Sequence, residues 1–187
     1  YNLEHLNTAH RETFKVKANW KLLEENNLEC YHCPGVHPEL CNIQPNVGRG
    51  RIGSANEDGN PLIDGGNTFS FTAITNRSPI STITKEDEAL FRSTTIYPTF
   101  FLGLLPDHVF TFTPWPVSVN ETMVVVDWLF EPTTIESPGF DPSDSVSFLR
   151  NVLQQDFEIV EEVQKGIKSR VHRSGVYSSQ EHLPHEF

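Results

Sequence analysis

The residues best suited to chemistry in this sequence are two histidines, His32 and His37, which flank a Pro-Gly pair. Neutral imidazole is a common ligand for iron, zinc and copper. In one continuous helix, residues five apart would point to different sides. A chain reversal at Pro34 and Gly35 can instead bring both rings to one point, which predicts a metal site. Two ordinary core or surface histidines are the alternative at this point.

A carboxylate on the apolar face of a helical pattern is the second candidate. Asp156 has hydrophobic residues three and four positions before it and three and four positions after it. A carboxylate that faces a core is unfavourable unless it is paired or bound to a metal. Together with His32 and His37 it would form a facial triad, which leaves open positions on ferrous iron for dioxygen and substrate. A buried ion pair is the alternative explanation of Asp156.

A strand and a helix are predicted just before the two histidines. Residues 14–18 alternate between apolar and polar side chains, as a half-buried strand does. Residues 20–31 carry apolar side chains at helical spacing, and Pro34 and Gly35 are expected to end this helix. Residues 40–66 are rich in Gly, Asn and Pro and are expected to form loops.

The middle of the chain is typical of antiparallel strands. Thr, Ser, Phe, Ile and Val dominate residues 67–131, as they do in β-sheets. The clearest strand patterns cover residues 69–72, 109–113 and 123–130, with turns expected at 107–108 and 119–121.

A long amphipathic helix is predicted near the carboxyl end. Residues 132–143 hold three prolines and a glycine and are expected to form a linker loop. Residues 144–168 then show one apolar stripe, with Ser143 or Asp144 as the cap. The polar tail after Val171 is expected to be extended. These elements predict an α+β architecture in which the helix packs on the sheet.

Composition limits the classes of function. The chain has 187 residues, which suits a single domain with a real core, and its formal net charge is −11. This acidity disfavours partners such as nucleic acid or an anionic membrane surface. No apolar run is long enough to cross a bilayer, and no signal peptide is visible. Three clustered cysteines are a poor disulfide framework, so a cytoplasmic location with reduced cysteines is expected.

Two competing motifs are not supported by their context. Residues 48–53 match the glycine pattern of dinucleotide-binding sites but lack a preceding strand and a following helix. Cys30 and Cys33 form a Cys-x-x-Cys motif that is interleaved with the histidines and has no second pair. Neither nucleotide binding nor a redox dithiol or zinc knuckle is therefore predicted.

The surroundings of the histidines resemble a known family. Residues 19–38 read Asn-Trp-Lys, then Glu25-Asn26, then Glu29, then Tyr-His32 and, five positions on, His37-Pro. This order resembles the catalytic domain of Rieske non-haem iron oxygenase α subunits. Residues 155–166 are similar to the later helix of that family, and the resemblance covers essentially the whole chain.

The resemblance implies the roles of five residues. His32, His37 and Asp156 would bind a mononuclear Fe(II), with O2 as co-substrate. Glu29 would link this site to the iron–sulfur cluster of a neighbouring subunit. Asn26 would contact the metal ligands without binding the metal itself. The implied fold is of the helix-grip type, a curved antiparallel sheet around a long C-terminal helix. A homotrimer and an electron-transfer reductase or ferredoxin are implied as well.

The Rieske [2Fe–2S] cluster itself has no ligands in this sequence. Its domain needs one Cys-x-His and one Cys-x-x-His motif. Cys30-Tyr31-His32 has the first spacing but is interleaved with the expected iron ligands, and no Cys-x-x-His is present. The cluster is therefore expected on a separate segment or partner. Residues 1–187 are expected to form the mononuclear-iron catalytic domain, which would not turn over alone.

The substrate is predicted only by class. Glu rather than Asp at position 29 resembles family members that act on quaternary ammonium compounds such as choline, betaine or carnitine. Trp115 or Trp128, with Tyr97, is expected to offer an aromatic face to such a cation. An aromatic-ring dihydroxylating dioxygenase is the alternative within the family. A metal-free helix-grip ligand-binding module and a zinc hydrolase that uses the same three side chains also stay open.

Overall fold

A six-stranded antiparallel sheet forms the centre of the protein; across it, the first strand of the chain is followed by the sixth, fifth, fourth, third and second. The computed structural model describes residues 1–51, 59–179 and 181–187. The strands are β1 (Asn7–Val16), β2 (Asn60–Pro61), β3 (Leu90–Ile96), β4 (Phe100–Leu104), β5 (Val109–Ser118) and β6 (Glu121–Phe130). Every strand pair is antiparallel, as predicted.

The two longest paired strands follow directly from the sequence pattern. Successive side chains of a strand point to opposite faces, so one face of β6 is buried. Its buried residues are Thr122, Val124, Val126, Trp128 and Phe130. The strands predicted at 109–113 and 123–130 are confirmed. So is the turn near residue 119, since β5 ends at Ser118 and β6 begins at Glu121.

The predicted long C-terminal helix packs on this sheet. The helices are α1 (Trp20–Asn27), α2 (Cys33–Val36), α3 (Pro38–Ile43), α4 (Pro132–Ile135), α5 (Ser143–Ile167) and α6 (His182–Glu186). The apolar stripe of α5 meets the sheet, where the rings of Phe157 and Phe14 lie 5.3 Å apart. The α+β prediction is confirmed. None of the helices in the described ranges is long and apolar enough to span a membrane.

Polar contacts fix the start of α1 against α5. The buried Gln164 accepts a hydrogen bond of 2.7 Å from the backbone N–H of Asn19. The Asn19 side chain in turn caps α1 by accepting from Lys21 N. Nearer the start of α5, Arg150 donates to Glu12 of β1. The chain that follows α1 is thereby held beside the middle of α5, where Asp156 lies.

The helix before the histidines is shorter than predicted. It ends at Asn27 rather than near residue 31, and the Pro34-Gly35 pair lies inside α2 instead of ending α1. Two consecutive asparagines are poor helix formers. Directly after them, the Glu29 carboxylate accepts the backbone N–H groups of Tyr31 and His32 and thereby stabilises a turn.

Two other predictions of secondary structure are wrong. The strand predicted at 69–72 is a turn, because the Asn67 side chain bonds both Thr75 N and Thr75 O and replaces ladder bonds. The linker predicted at 132–143 contains α4, and Pro142 rather than Ser143 or Asp144 is the cap residue of α5. Asp144 bonds Arg77 from the first turn.

The predicted loop over residues 40–66 is only partly described. It contains the end of α3, a short 3-10 turn at Val47–Arg49, and β2. The last two positions of the rejected glycine motif at 48–53, including its last glycine, lie outside the described residues.

Glu24 gives this fold a predicted pH dependence. The side chain is fully buried in α1, and neither carboxylate oxygen has a hydrogen-bond partner within the described ranges. Burial raises its pKa from 4.5 to about 7. Because the unfolded chain ionises at lower pH than the folded one, stability should fall as the pH rises between these two values.

Glu24→Gln should remove this loss. We expect the free energy of unfolding of the variant to exceed the wild-type value by about 3 kcal/mol at pH 8, and by little near pH 4.5. Urea unfolding at both pH values measures the difference. Glu158→Gln, the same change at an exposed position of α5, is the control and should show no gain. Equal stability of Glu24→Gln and wild type at pH 8 would contradict the prediction.

Candidate metal centre

The chain reversal between the histidines brings their rings together. His32 directly precedes α2, and His37 lies between α2 and α3. This single helical turn places the two ring centroids 5.3 Å apart with their planes at 78°. The Pro-Gly pair was expected to break a helix, whereas it forms the turn itself; the convergence of the rings is as predicted.

Asp156 of α5 completes the cluster from the other side. Its Oδ1 lies 2.9 Å from His37 Nε2 and 3.3 Å from His32 Nε2. His37 is 1% exposed and Asp156 is 8% exposed, so little water reaches these atoms. The three residues that the sequence singled out therefore meet at one buried point.

Gln155 fixes the proton of His37. Its Nε2 donates to Glu39 Oε2 at 3.1 Å, and a carboxylate can only accept there. The Gln155 Oε1 must then face His37 Nδ1, which lies 2.8 Å away and must be the donor. His37 consequently carries its proton on Nδ1 and turns the lone pair of Nε2 toward Asp156. The sequence reasoning did not assign this role to Gln155.

Glu29 fixes the proton of His32 in the same way. Its Oε1 lies 2.5 Å from His32 Nδ1, while its Oε2 accepts backbone N–H groups of the same turn. The helix predicted over residues 20–31 would have included Glu29, three residues before His32. The two residues are instead joined by this turn after α1, and their contact does not depend on a helix.

The resulting arrangement would stabilise a cation placed between the three side chains. Both Nδ1 atoms are engaged as donors, so each neutral imidazole presents a lone pair to Asp156 Oδ1, which also has only lone pairs. In the metal-free protein, protons on the imidazoles take the place of such a cation beside Asp156. Burial lowers the pKa of His32, but hydrogen bonds to Asp156 and Glu29 outweigh it and raise this pKa to about 9. Burial raises the pKa of Asp156, and the bonds from both imidazoles outweigh it and lower this pKa.

The donor set fits a metal ion equally well. Bonds of about 2.1 Å at right angles put neighbouring ligand atoms about 3 Å apart. The two spacings around Asp156 Oδ1, 2.9 and 3.3 Å, agree with this. Two imidazoles and one carboxylate are the ligands of non-haem Fe(II) oxygenases.

Asn26, the other residue expected at the site, contacts the ring of His32. Its Nδ2 lies 3.1 Å from Nε2 and 3.5 Å from Nδ1 of this imidazole. Asn26 is the penultimate residue of α1, so the end of that helix directly borders the metal site.

The cysteines differ from the prediction. Cys30 and Cys33 form a disulfide, because the turn brings their Cα atoms to 5.0 Å, within the usual range. The expectation of reduced cysteines is wrong for this pair, whereas Cys41 is free. Cys33 Sγ and the ligand atoms of the two histidines lie within 4.8 Å of one another. A disulfide sulfur is not a thiolate, so Cys33 does not compete as a ligand in this state.

A cavity of about 110 Å³ lies beside the three candidate ligands. Its aromatic walls come from the sheet and from the loop before it: Phe69, Phe91, Phe101, Phe110 and Phe112. Leu149, Val152 and Leu153 of α5 close the opposite side.

The aromatic residues expected to contact a cation do not line this cavity. Trp115 and Tyr97 are 55% and 53% exposed near the ends of β5 and β3. Trp128 is fully buried, with its ring 5.4 Å from that of His10. The prediction that these three residues form the aromatic contact is wrong, since the residues that face the metal side of the sheet are phenylalanines.

A second cleft, of about 230 Å³, reaches the same histidine from outside. Glu25, Asn26, Glu29 and His32 form one wall, and Tyr177 of the C-terminal tail forms part of another. Glu29 and His32 therefore border both the inner cavity and this outer cleft.

Comparison with known proteins places this arrangement in a family. Residues 3–187 match the model of the ring-hydroxylating α subunit, catalytic domain. The chain belongs to this family. The resemblance seen in the sequence is thereby confirmed at the level of the family, and the curved antiparallel sheet with its long helix is the fold of ring-hydroxylating α subunits.

Two curated relatives of this ring-hydroxylating α-subunit domain are oxygenase subunits. The glycine betaine monooxygenase subunit of Pseudomonas aeruginosa is 29% identical over 213 residues, covering 95% of the chain and 49% of the relative. The carnitine monooxygenase subunit of Escherichia coli (strain K12) is 28% identical over 171 residues, covering 90% of the chain and 42% of the relative. The chain spans about half the length of these relatives.

Solved structures share the fold. A quaternary ammonium Rieske monooxygenase, studied for carnitine oxidation by gut microbiota, superposes with a TM-score of 0.66 at 22% identity, covering 92% of this chain and 44% of that one. Naphthalene 1,2-dioxygenase from Rhodococcus sp. gives a TM-score of 0.60 at 16% identity, covering 88% of this chain and 45% of that one.

Proposed function

We propose that this domain is the catalytic half of an oxygenase that oxidises a small quaternary ammonium compound. His32, His37 and Asp156 would hold a mononuclear Fe(II), with O2 as co-substrate. The observation that carries the proposal is that Nε2 of His32 and Nε2 of His37 lie 3.3 and 2.9 Å from one buried carboxylate oxygen of Asp156. Bound Fe(II) would supply open positions for O2 and substrate, the chemistry that a facial triad supports.

The chain's own residues prepare the site for this chemistry. Gln155 and Glu29 hold the two imidazoles in the tautomer that leaves Nε2 free. The phenylalanine walls and the apolar residues of α5 exclude water from the substrate side. Asn26 restrains the His32 ring from the end of α1.

Electrons would come from a [2Fe–2S] Rieske cluster outside this sequence, supplied in turn by a reductase or ferredoxin. We propose that they enter on the side of the outer cleft. Glu29 borders this cleft and bonds the ligand His32, so it connects the outer surface to the metal site. A homotrimer, which would bring a neighbour's cluster to this cleft, is part of the proposal.

The cavity favours a small cation over a multi-ring arene. About 110 Å³ is well below the roughly 300–1,000 Å³ of pockets for drug-sized ligands. The charged side chains among the described lining residues are the two carboxylates, Glu29 and Asp156, together with the histidines. Aromatic faces with nearby carboxylates suit a quaternary ammonium group, which cannot donate conventional hydrogen bonds. The glycine betaine and carnitine monooxygenase relatives support the same choice.

Calorimetric titration of the iron-loaded chain under anaerobic conditions tests this proposal. We expect saturable binding of choline, glycine betaine or carnitine and none of naphthalene or benzoate, because an arene has no charge for the carboxylates to stabilise. Binding of the arenes alone would instead support an aromatic-ring dioxygenase. Ligand binding without any metal in the protein would support a metal-free binding module. Preference for zinc, with hydrolytic activity, would support a zinc hydrolase.

A further inference from the structure

Gln44 has a buried hydrogen-bond donor that meets no acceptor in the part of the chain that the structure describes. It follows the last residue of α3, is 1% exposed and lines the cavity. Its Nε2 has no hydrogen-bond partner within the described residues. A buried donor left unpaired is destabilising, so a ligand that supplies an acceptor would gain from meeting it.

The position of Gln44 separates it from the metal end of the cavity. His37 immediately precedes α3 and Gln44 immediately follows it, so they lie roughly 10 Å apart along the helix axis. Among the described residues that line the cavity, Asn27 also has an unpaired amide donor, but it adjoins Asn26, which contacts His32. Of these two amide donors, that of Gln44 is therefore the one separated from the metal ligands.

The charge of the cavity is one-sided. Its carboxylates, Glu29 and Asp156, both bond His32. No Lys or Arg is among the lining residues that the structure describes. With Fe(II) bound, the two carboxylates balance the charge of the ion, so a ligand carboxylate meets no net positive charge at the metal end and would accept from a neutral amide donor instead.

We propose that Gln44 anchors the carboxylate of a zwitterionic substrate, a trimethylammonium carboxylate, and so sets its orientation. The ammonium end would lie among the phenylalanines near Glu29 and Asp156, and the carboxylate would accept from Gln44 Nε2. This inference rests on the proposed function and deepens it. It separates zwitterions from simple cations such as choline, which have the same head group but no carboxylate.

Three ligands that share the same head group provide the first test. Glycine betaine, its methyl ester and choline share a trimethylammonium group, and among them only glycine betaine has a free carboxylate. In calorimetric titration of the wild-type, iron-loaded chain, we expect glycine betaine to bind about tenfold or more tightly than the other two, since a hydrogen bond to a charged group distinguishes it. Equal affinities for the three ligands would overturn the inference without any variant.

Variants of Gln44 provide the second test. Gln44→Met keeps the volume and removes the donor, and Gln44→Glu places a negative charge beside the ligand carboxylate. Both should weaken glycine betaine binding by about tenfold to a hundredfold while choline binding changes by less than about threefold. Gln154→Glu, the same added charge at an exposed position of α5, should change neither. Unchanged choline binding also reports that the variants are folded.

The outcomes distinguish the two proposals. If the wild-type chain binds none of these ligands, the proposed substrate class is wrong and the role of Gln44 falls with it. If it binds them but the Gln44 variants weaken glycine betaine and choline equally, or weaken neither, only the role of Gln44 is wrong. Selective loss of the carboxylate-bearing ligand supports both.

Discussion

Replacing Asp156 with alanine is expected to reduce bound iron from about one ion per chain to a trace. The physical reason is that Asp156 Oδ1 is the common neighbour of both Nε2 atoms, at 2.9 and 3.3 Å. Without it, two neutral imidazoles remain, and they neither balance the charge of Fe(II) nor complete the facial triad. His32→Ala and His37→Ala should lose iron to a similar extent, because each removes one of the three donors.

The measurement is metal content after anaerobic loading with ferrous iron and removal of the excess. Glu158→Ala is a matched control, since it removes a carboxylate two residues away on the exposed face of the same helix. It should retain the wild-type iron content. Full iron in all three single variants of the triad would show that the metal, if bound, lies elsewhere. Loading with zinc in parallel tests the hydrolase alternative on the same samples.

Glu29→Gln is expected to separate iron binding from electron delivery. Glutamine keeps the shape of the side chain and one acceptor oxygen for His32 Nδ1, so iron content should change little. It removes the negative charge that Glu29 presents both to His32 and to the outer cleft. If this carboxylate connects the ligand to the electron donor, turnover should fall by about a hundredfold, the scale on which a lost partner of a metal-bound histidine acts.

This prediction applies to a protein that includes the iron–sulfur domain, and its readouts are iron content and product formed per electron consumed. Glu25→Gln is the control, because Glu25 lines the same cleft without a bond to a candidate ligand. Its turnover should stay close to wild type. Normal coupled turnover in Glu29→Gln would remove Glu29 from electron delivery, and loss of iron would assign it a structural role only.

The candidate ligands could be found in the sequence because each violates a local pattern. Asp156 interrupts an apolar stripe, and a buried carboxylate has few explanations. His32 and His37 flank a Pro-Gly pair that cannot continue a regular helix. Strands β5 and β6 and helix α5 were equally accessible, since periods of two and of 3.6 residues are local properties. The strand predicted at 69–72 failed because alternation also occurs where a side chain such as Asn67 replaces the ladder.

Tertiary contacts decided the rest of the site. The tautomer of His37 depends on Gln155, which is 118 residues from His37 in the chain and 116 residues from its own partner Glu39. The choice of phenylalanines over Trp115 for the cavity depends on which strand segments face α5, and this follows from packing rather than from residue type. The sequence by itself predicted strands β5 and β6, helix α5, the three candidate ligands and the family. Only the folded chain decided that Gln155 orients His37 and that Gln44 Nε2 has no acceptor among the described residues, because both depend on distances between segments that no local pattern encodes.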